Sequence, residues 1–239
     1  MKKGILTLLA MVLVFTISGW TVDDYNNAND EQSKAEKRLD DAGADLNRLT
    51  NAPDSGIPQT ILAKAKCVAI VPTMAKGGFV FGAEHGRGVA TCRVNGKWSA
   101  PAFFTVTGGS WGAQIGGEAV DLTMLFMNDE GARKLMSAKW KIGADVGIAA
   151  GPYGRQGTAS TDWKLNTGIL TYSRAKGAFI GATLNGANVH VDEKAMRSFY
   201  GPNYPNFRDV LSGKVPPPPQ AHQFMAAIRQ DFHEAQANK

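Results

Sequence analysis

Apolar and polar positions change period along this chain, and the changes divide it. Ala35, Leu39, Ala42, Leu46 and Leu49 recur every three or four residues, which predicts an amphipathic helix with one narrow apolar stripe. So thin a stripe needs cover, and docking on the chain's own body is the expected outcome. The breaker Asn51-Ala52-Pro53-Asp54-Ser55-Gly56 follows. A second, short helix is expected over Ile57 to Lys66, with Ile57, Ile61, Leu62 and Ala65 on its apolar side. Lys64 and Lys66 close it, where cations suit the helix dipole.

From Ala65 to Gly117 the pattern turns to short β-rich runs: Cys67 to Val71, Phe79 to Ala83, Val89 to Val94 and Ala102 to Val106, separated by Gly, Pro and Asn-Gly. That reads as an antiparallel meander. In Val94-Asn95-Gly96-Lys97 the Asn-Gly pair accepts the positive φ values of a tight hairpin, so Cys92-Arg93-Val94 is expected to pair with Lys97-Trp98-Ser99. Ala119 to Met127 is a continuous apolar run of strand length. Asn128 then suits the N-cap of a helix over Asp129 to Ser137, with acids in its first turn and Arg133 and Lys134 later.

Lys139 to Ile148 alternates polar and apolar residues and reads as a half-exposed strand. The segment 151–157 is a loop, and strands are expected over Ile169 to Arg174 and Ala178 to Thr183, joined by Ala175-Lys176-Gly177. Asp192 caps a helix that Gly201-Pro202 ends, and another short helix near Phe207 to Leu211 stops at Gly213. Pro216 to Pro219 reads as an extended polyproline spacer. The tail from Gln220 is a helix with Phe224, Ala227, Ile228 and Phe232 on one side. The fold class is therefore α+β, a curved and barrel-like antiparallel sheet with flanking helices.

One internal echo matters. Ala75-Lys76-Gly77-Gly78-Phe79-Val80 recurs 100 residues later as Ala175-Lys176-Gly177-Ala178-Phe179-Ile180. Two equivalent hairpins in one sheet would place both lysines on one rim, although so short a match also arises by chance.

Residues Met1 to Gly19 stand apart. Lys2 and Lys3 precede an apolar run from Ile5 to Ile17 and then small residues, the pattern of a cleaved secretory signal peptide. Trp20 stands where a lipoprotein carries its acylated cysteine, so the expected product is periplasmic or secreted without a lipid anchor. An oxidising compartment permits a disulfide between Cys67 and Cys92. Two buried, small apolar residues are the equal alternative.

Charge is uneven. Between Thr21 and Asp54 nine acids meet four bases, a net of −5, whereas from Ser55 onward twenty bases meet twelve acids, a net of +8. A basic core favours an anionic partner, and for an envelope protein that is a phospholipid surface rather than nucleic acid.

Catalytic chemistry finds little support. Gly108-Gly109-Ser110-Trp111-Gly112 formally matches a nucleophile elbow, with Asp145 or Asp162 and then His190 in the hydrolase order. The elbow needs a helix after its serine, and Gly112, Gly116 and Gly117 disfavour one. His85, His190, His222 and His233 lack metal-ligand spacing, and Lys76-Gly77-Gly78 lacks the phosphate-loop spacing. Neither a metal nor a cofactor is expected.

Taken together, Ala65-Lys66, Lys76-Gly77-Gly78-Phe79, Trp98-Ser99-Ala100-Pro101-Ala102-Phe103, Gly108-Gly109-Ser110, Leu125-Phe126-Met127-Asn128, Gly143-Ala144-Asp145, Ala149-Ala150-Gly151-Pro152 and Tyr172-Ser173-Arg174-Ala175-Lys176-Gly177 resemble the SYLF domain over about Leu46 to Gly201. That resemblance implies a non-enzymatic module of a family whose eukaryotic members bind phosphoinositides and regulate actin, often beside SH3 or FYVE domains. Its bacterial members are mostly secreted single domains. Actin bundling is not carried over.

The expected organisation is a signal peptide (1–19), an acidic helix and linker (20–56), a SYLF-like domain (57–213), and a spacer with a C-terminal helix (214–239). The expected function is phosphatidylinositol-like lipid binding at an anionic membrane surface through Lys64, Lys66, Lys76, Arg155, Arg174 and Lys176. The alternatives are an envelope scaffold that recruits proteins through its two terminal helices and, third, a serine hydrolase at Ser110.

Overall fold

The computed structural model describes residues 18–52, 56–78, 81–111, 116–152, 167–175, 178–180 and 186–237. The leader read at the N-terminus therefore lies almost wholly outside the described residues. The first described element is helix α1 (Ser18–Thr50). Its five stripe residues are all buried, at 1% exposure or less. Helix α2 (Gln59–Lys64) follows and leads into strand β1 (Cys67–Gly78).

Next come β2 (Phe81–Val94), β3 (Lys97–Trp98), β4 (Ala102–Trp111) and β5 (Gly116–Phe126). Asn95 and Gly96 take φ values of 49° and 77°, and Arg93 and Val94 pair with Trp98 and Lys97, the tight hairpin that the Asn-Gly pair predicts. The two short strands expected within 79–94 are instead a single strand, β2. Its polar middle, Glu84 to Arg87, stays extended because both β1 and β4 pair with it.

After β5 come helix α3 (Asp129–Leu135), β6 (Lys139–Lys141), β7 (Ile148–Ala150), β8 (Ile169–Ala175), β9 (Ala178–Ile180) and β10 (Asn188–Val191). The strand expected over Lys139 to Ile148 is broken by a turn in which Gly143 adopts φ 80°. Strand β10, four residues long, was not expected; its sequence is too short to display a period. Helices α4 (Glu193–Tyr200), α5 (Phe207–Leu211) and α6 (His222–Ala237) complete the chain. Pro218 is extended, at φ −71° and ψ 160°, but Pro219 opens a 3-10 turn and so leaves the polyproline run.

The strands form one sheet in the order β6-β10-β4-β2-β1-β5-β8-β7, with β3 on β2 and β9 on β8. Among the described strands only β7 and β8 pair in parallel, so the sheet is mixed. The β1/β2 and β8/β9 hairpins flank β5, and β1 and β8 both run antiparallel to it. β1 and β8 consequently run in the same direction, while the turns themselves, Lys176 among them, lie outside the described residues.

Register divides the side chains between two faces. Ile70, Val89, Phe103 and Thr123 share the face covered by α1, whereas Cys67, Cys92, Gly88, Phe104 and Phe126 share the other. On that second face Gly88 lets two strands curl together, since a Cβ there would stand 2.3 Å from Phe104 Cζ. Cys67 and Cys92 are directly opposed, and a disulfide joins them.

Helix α1 is fastened by a buried ion pair. Arg38 Nη1 donates to Asp192 Oδ2 at 2.9 Å, and both side chains are 9% exposed. Asp192 Oδ1 also accepts from Ala195 N, capping α4. The guanidinium lies 5.4 Å from the Phe103 ring centroid. One side chain thus ties α1 to α4 and to β4.

Deleting Arg38 leaves the buried Asp192 carboxylate with Arg87, whose Nε stands 4.0 Å from the same Oδ2, as its ion partner. Arg38→Ala is expected to lower unfolding stability by about 3 kcal/mol in urea titration, while Lys37→Ala on the exposed side stays within about 0.5 kcal/mol. Reducing the disulfide, which closes a 25-residue separation, is expected to cost about 3 kcal/mol by chain entropy, read as a lower midpoint in dithiothreitol.

Candidate functional site

The site is built on the connection from β5 to β6. Asn128 Oδ1 accepts the Gly131 N–H at 2.8 Å and starts α3. Asp129 and Glu130 sit in the first turn and Arg133 and Lys134 in the last, each sign at the end the helix dipole favours. In β6 the Lys-Trp-Lys alternation puts Trp140 into the core, at 3% exposure, and leaves Lys139 and Lys141 exposed.

The backbone edge of β6 is partly closed. Asp145 Oδ2 accepts the Lys141 N–H at 2.6 Å, and Asp145 N donates to Lys141 O at 3.1 Å. These bonds occupy the groups a neighbouring strand would use. The exposed lysines are therefore presented as side-chain charge and not as part of a pairing edge.

Two ion pairs stitch this region together. Lys66 Nζ stands 2.6 Å from Asp129 Oδ1, and Lys134 Nζ stands 3.5 Å from Asp145 Oδ1. Through them the end of α2, the start of β1, α3 and β6 form one continuous basic edge. It carries Lys64, Lys66, Arg133, Lys134, Lys139 and Lys141 against Asp129, Glu130 and Asp145. Among the described residues, Lys64, Arg133, Lys139 and Lys141 have no ion-pair partner within 4.0 Å. The Lys66 ammonium holds the Asp129 carboxyl below the ordinary carboxylate range. The Lys141 N–H, followed by Lys134, does the same for Asp145.

The residues singled out from sequence do not gather in one place. Lys64 and Lys66 belong to this edge, but Lys76 lies on the same strand ten residues further along, about 33 Å away at the usual rise. There it faces inward, 3.7 Å from Glu84 Oε1 and 18% exposed. Arg174 is half-buried, level with the middle of β1, and pairs in register with Asp121, whose carboxyl is pushed up by burial. Arg155 and Lys176 lie outside the described residues. The described lysines therefore fall at two separate ends, because Lys66 precedes β1 and Lys76 lies near its far terminus.

Sequence reasoning passed over Lys139 and Lys141 as ordinary strand positions. The signal was the Lys-Trp-Lys pattern itself, which exposes both cations once the indole is buried. Ser110 lies within β4, paired in register with Gly82. A serine held inside a ladder lacks the sharp strand-to-helix turn of a nucleophile elbow.

The profile of the family described as "Ysc84: Las17-binding protein actin regulator" matches residues 107–231. Protein YSC84 of Saccharomyces cerevisiae is 33% identical over 179 residues, 73% of this chain and 38% of the relative. LAS seventeen-binding protein 3 of the same organism is 34% identical over 171 residues, covering 70% and 37%. SH3 domain-containing YSC84-like protein 1 of Homo sapiens is 31% identical over 216 residues, covering 90% and 62%. The chain belongs to the SYLF (Ysc84) family. It spans about two fifths of the length of the yeast relatives and less than two thirds of the human one.

The Lys66 bond makes a pH-dependent contribution. Because it depresses the Asp129 carboxyl, its stabilisation is present above the unfolded carboxyl's pKa and is lost as pH falls through the folded value. In Lys66→Ala, carbon-detected NMR titration is expected to show Asp129 moving up toward the ordinary range, with Asp145 unmoved.

Proposed function

We propose that this chain is a non-enzymatic docking module that binds anionic phospholipid headgroups, phosphoinositide-like ones among them, along the edge formed by Lys64, Lys66, Arg133, Lys134, Lys139 and Lys141. The observation that carries the reading is the surplus of cation there: two of the three acids in the edge are engaged within the protein, and four bases are not. Each base near an anionic surface contributes on the order of 1 kcal/mol. Four together give roughly 4 kcal/mol, a dissociation constant near 1 mM. Such binding is weak and reversible, and it screens away as ionic strength rises. In this reading the membrane is that of the cell envelope, reached through the leader read at 1–19.

A second reading is a protein-binding module. It is favoured by the names that the relatives carry, "LAS seventeen-binding protein 3" and the "Las17-binding protein actin regulator" family. In this chain, however, α1 and α6 supply buried residues to the core, Leu39, Leu46, Phe224 and Phe232 among them. They are not free arms for recruitment.

Co-sedimentation separates the two readings. The protein is expected to pellet with vesicles containing phosphatidylserine or a phosphoinositide, not with pure phosphatidylcholine, and to be released by about 0.5 M salt. Lys139→Glu with Lys141→Glu is expected to cut binding about tenfold or more. Lys37→Glu, which also lowers net charge but lies on α1, is expected to change it little. Equal loss in both variants would mean that net charge acts and the edge does not.

A further inference from the structure

Apart from the basic edge, the described surface contains a groove of about 450 Å³ between the β2–β3 hairpin and the segment 213–217. Lys97, Trp98 and Ser99 line one side in succession; Val215, Pro216 and Pro217 line the other. Val94 adds to the floor, and a Cβ built on Gly213 would stand 3.5 and 3.7 Å from its two methyl groups.

The hydrogen-bonding state of this hairpin is informative. Arg93 N donates to Lys66 O at 2.7 Å, so its N–H faces β1, and the opposed residue Trp98 belongs to a non-hydrogen-bonded pair. The Trp98 N–H and C=O therefore point away from β2, and among the described residues no strand lies beyond β3. Across the groove Pro216 and Pro217 have no N–H, so neither of them offers a donor to an edge. Trp98 is held in place from behind: the Phe232 ring centroid is 4.5 Å from its own, and the Arg93 guanidinium is 5.1 Å away. At the rim Lys97 is exposed, and among the described residues it has no acid within 4.0 Å.

We infer that this groove takes an extended peptide with an apolar residue flanked by acids, which adds one strand to β3. The peptide exchanges main-chain hydrogen bonds with Trp98, seats its apolar side chain against Val94, Val215 and the prolines, and sets a carboxylate at Lys97. The occupant follows from the chemistry of the site: an unpaired donor and acceptor select extended backbone, the apolar walls select the central side chain, and the lone ammonium selects the flanking charge. The inference does not depend on the lipid reading, since no residue of the basic edge lines the groove.

The test uses the full chain and a panel of fluorescein-labelled, capped pentapeptides, Gly-Asp-X-Asp-Gly, with X as Val, Leu, Phe or Trp. At least one is expected to bind saturably with a dissociation constant below about 1 mM and to shift the Trp98 and Lys97 amide resonances. N-methylation of X is expected to weaken it about tenfold by deleting a main-chain bond. Lys97→Glu, at an exposed position that leaves the fold intact, is expected to invert the preference between Asp-flanked and Lys-flanked peptides. The inference is overturned if no panel member saturates below that limit, or if the N-methylated peptide binds equally well. Binding that survives both changes but is lost in Lys139→Glu with Lys141→Glu also overturns it, by placing the peptide on the basic edge.

Discussion

The contact between Trp140 and Phe126, with ring centroids 6.0 Å apart, is the constraint on which the rest of the molecule turns. The two rings belong to β6 and β5, five strand steps apart in the sheet. In a flat sheet they would be roughly 24 Å apart at the usual strand spacing. The sheet therefore has to curl until its concave face nearly meets itself, and small residues such as Gly88 and Ala90 on β2 give it room to do so. β6 follows α3 directly in the chain, and the closure then seats it against Phe126 with Lys139 and Lys141 left exposed. Packing of two aromatic rings thus sets the position of the charges.

The opposite face of the sheet is closed by α1, with α4 and α6 packed on it. Here the stability argument runs against simple counting of ion pairs. The surface pairs along α1, such as Lys37 with Asp41 at 2.7 Å, are of the kind that contribute little. The Arg38–Asp192 pair is different because burial draws the guanidinium down from its ordinary range while Asp192 draws it back, and because the same carboxylate caps α4. What it chiefly supplies is placement: the polar geometry admits one seating of α1 on the sheet, where the apolar stripe alone would tolerate sliding along its length.

Much of this was legible in the chain. The α1 stripe, the Asn95-Gly96 turn, the Asn128 and Asp192 caps and the α6 face all declare themselves through local rules of period and hydrogen bonding, and each stands where those rules put it. What local rules could not give was distance. Lys66 and Lys76 read as neighbours in composition, yet a strand keeps them apart. Lys66 and Lys141 look unrelated, yet the ion pairs of α3 join them to one edge. The break at Gly143 was likewise hidden, since the alternation of Lys139 to Ile148 continues through it, and only the left-handed glycine and the Asp145 bond reveal the turn. The order of periodic elements supplied the fold class and the resemblance the family, but neither carried a map of which cations share a surface.

The two surfaces proposed for recognition differ in what they ask of a partner, and the difference follows from how each edge of the sheet is finished. At β6 the carboxylate of Asp145 occupies the Lys141 N–H, so the edge offers charge with little backbone specificity, which suits a diffuse anionic surface whose groups need no register. At β3 the facing segment contains prolines, so the Trp98 N–H and C=O remain open and the apolar walls are fixed by Arg93 and Phe232, which suits a ligand with a defined direction and spacing. A capped strand edge favours electrostatic docking and an open one favours pairing; this chain contains one of each. A single domain can therefore approach a membrane by one side while another remains able to read a peptide, because the closure that builds the first surface does not consume the second.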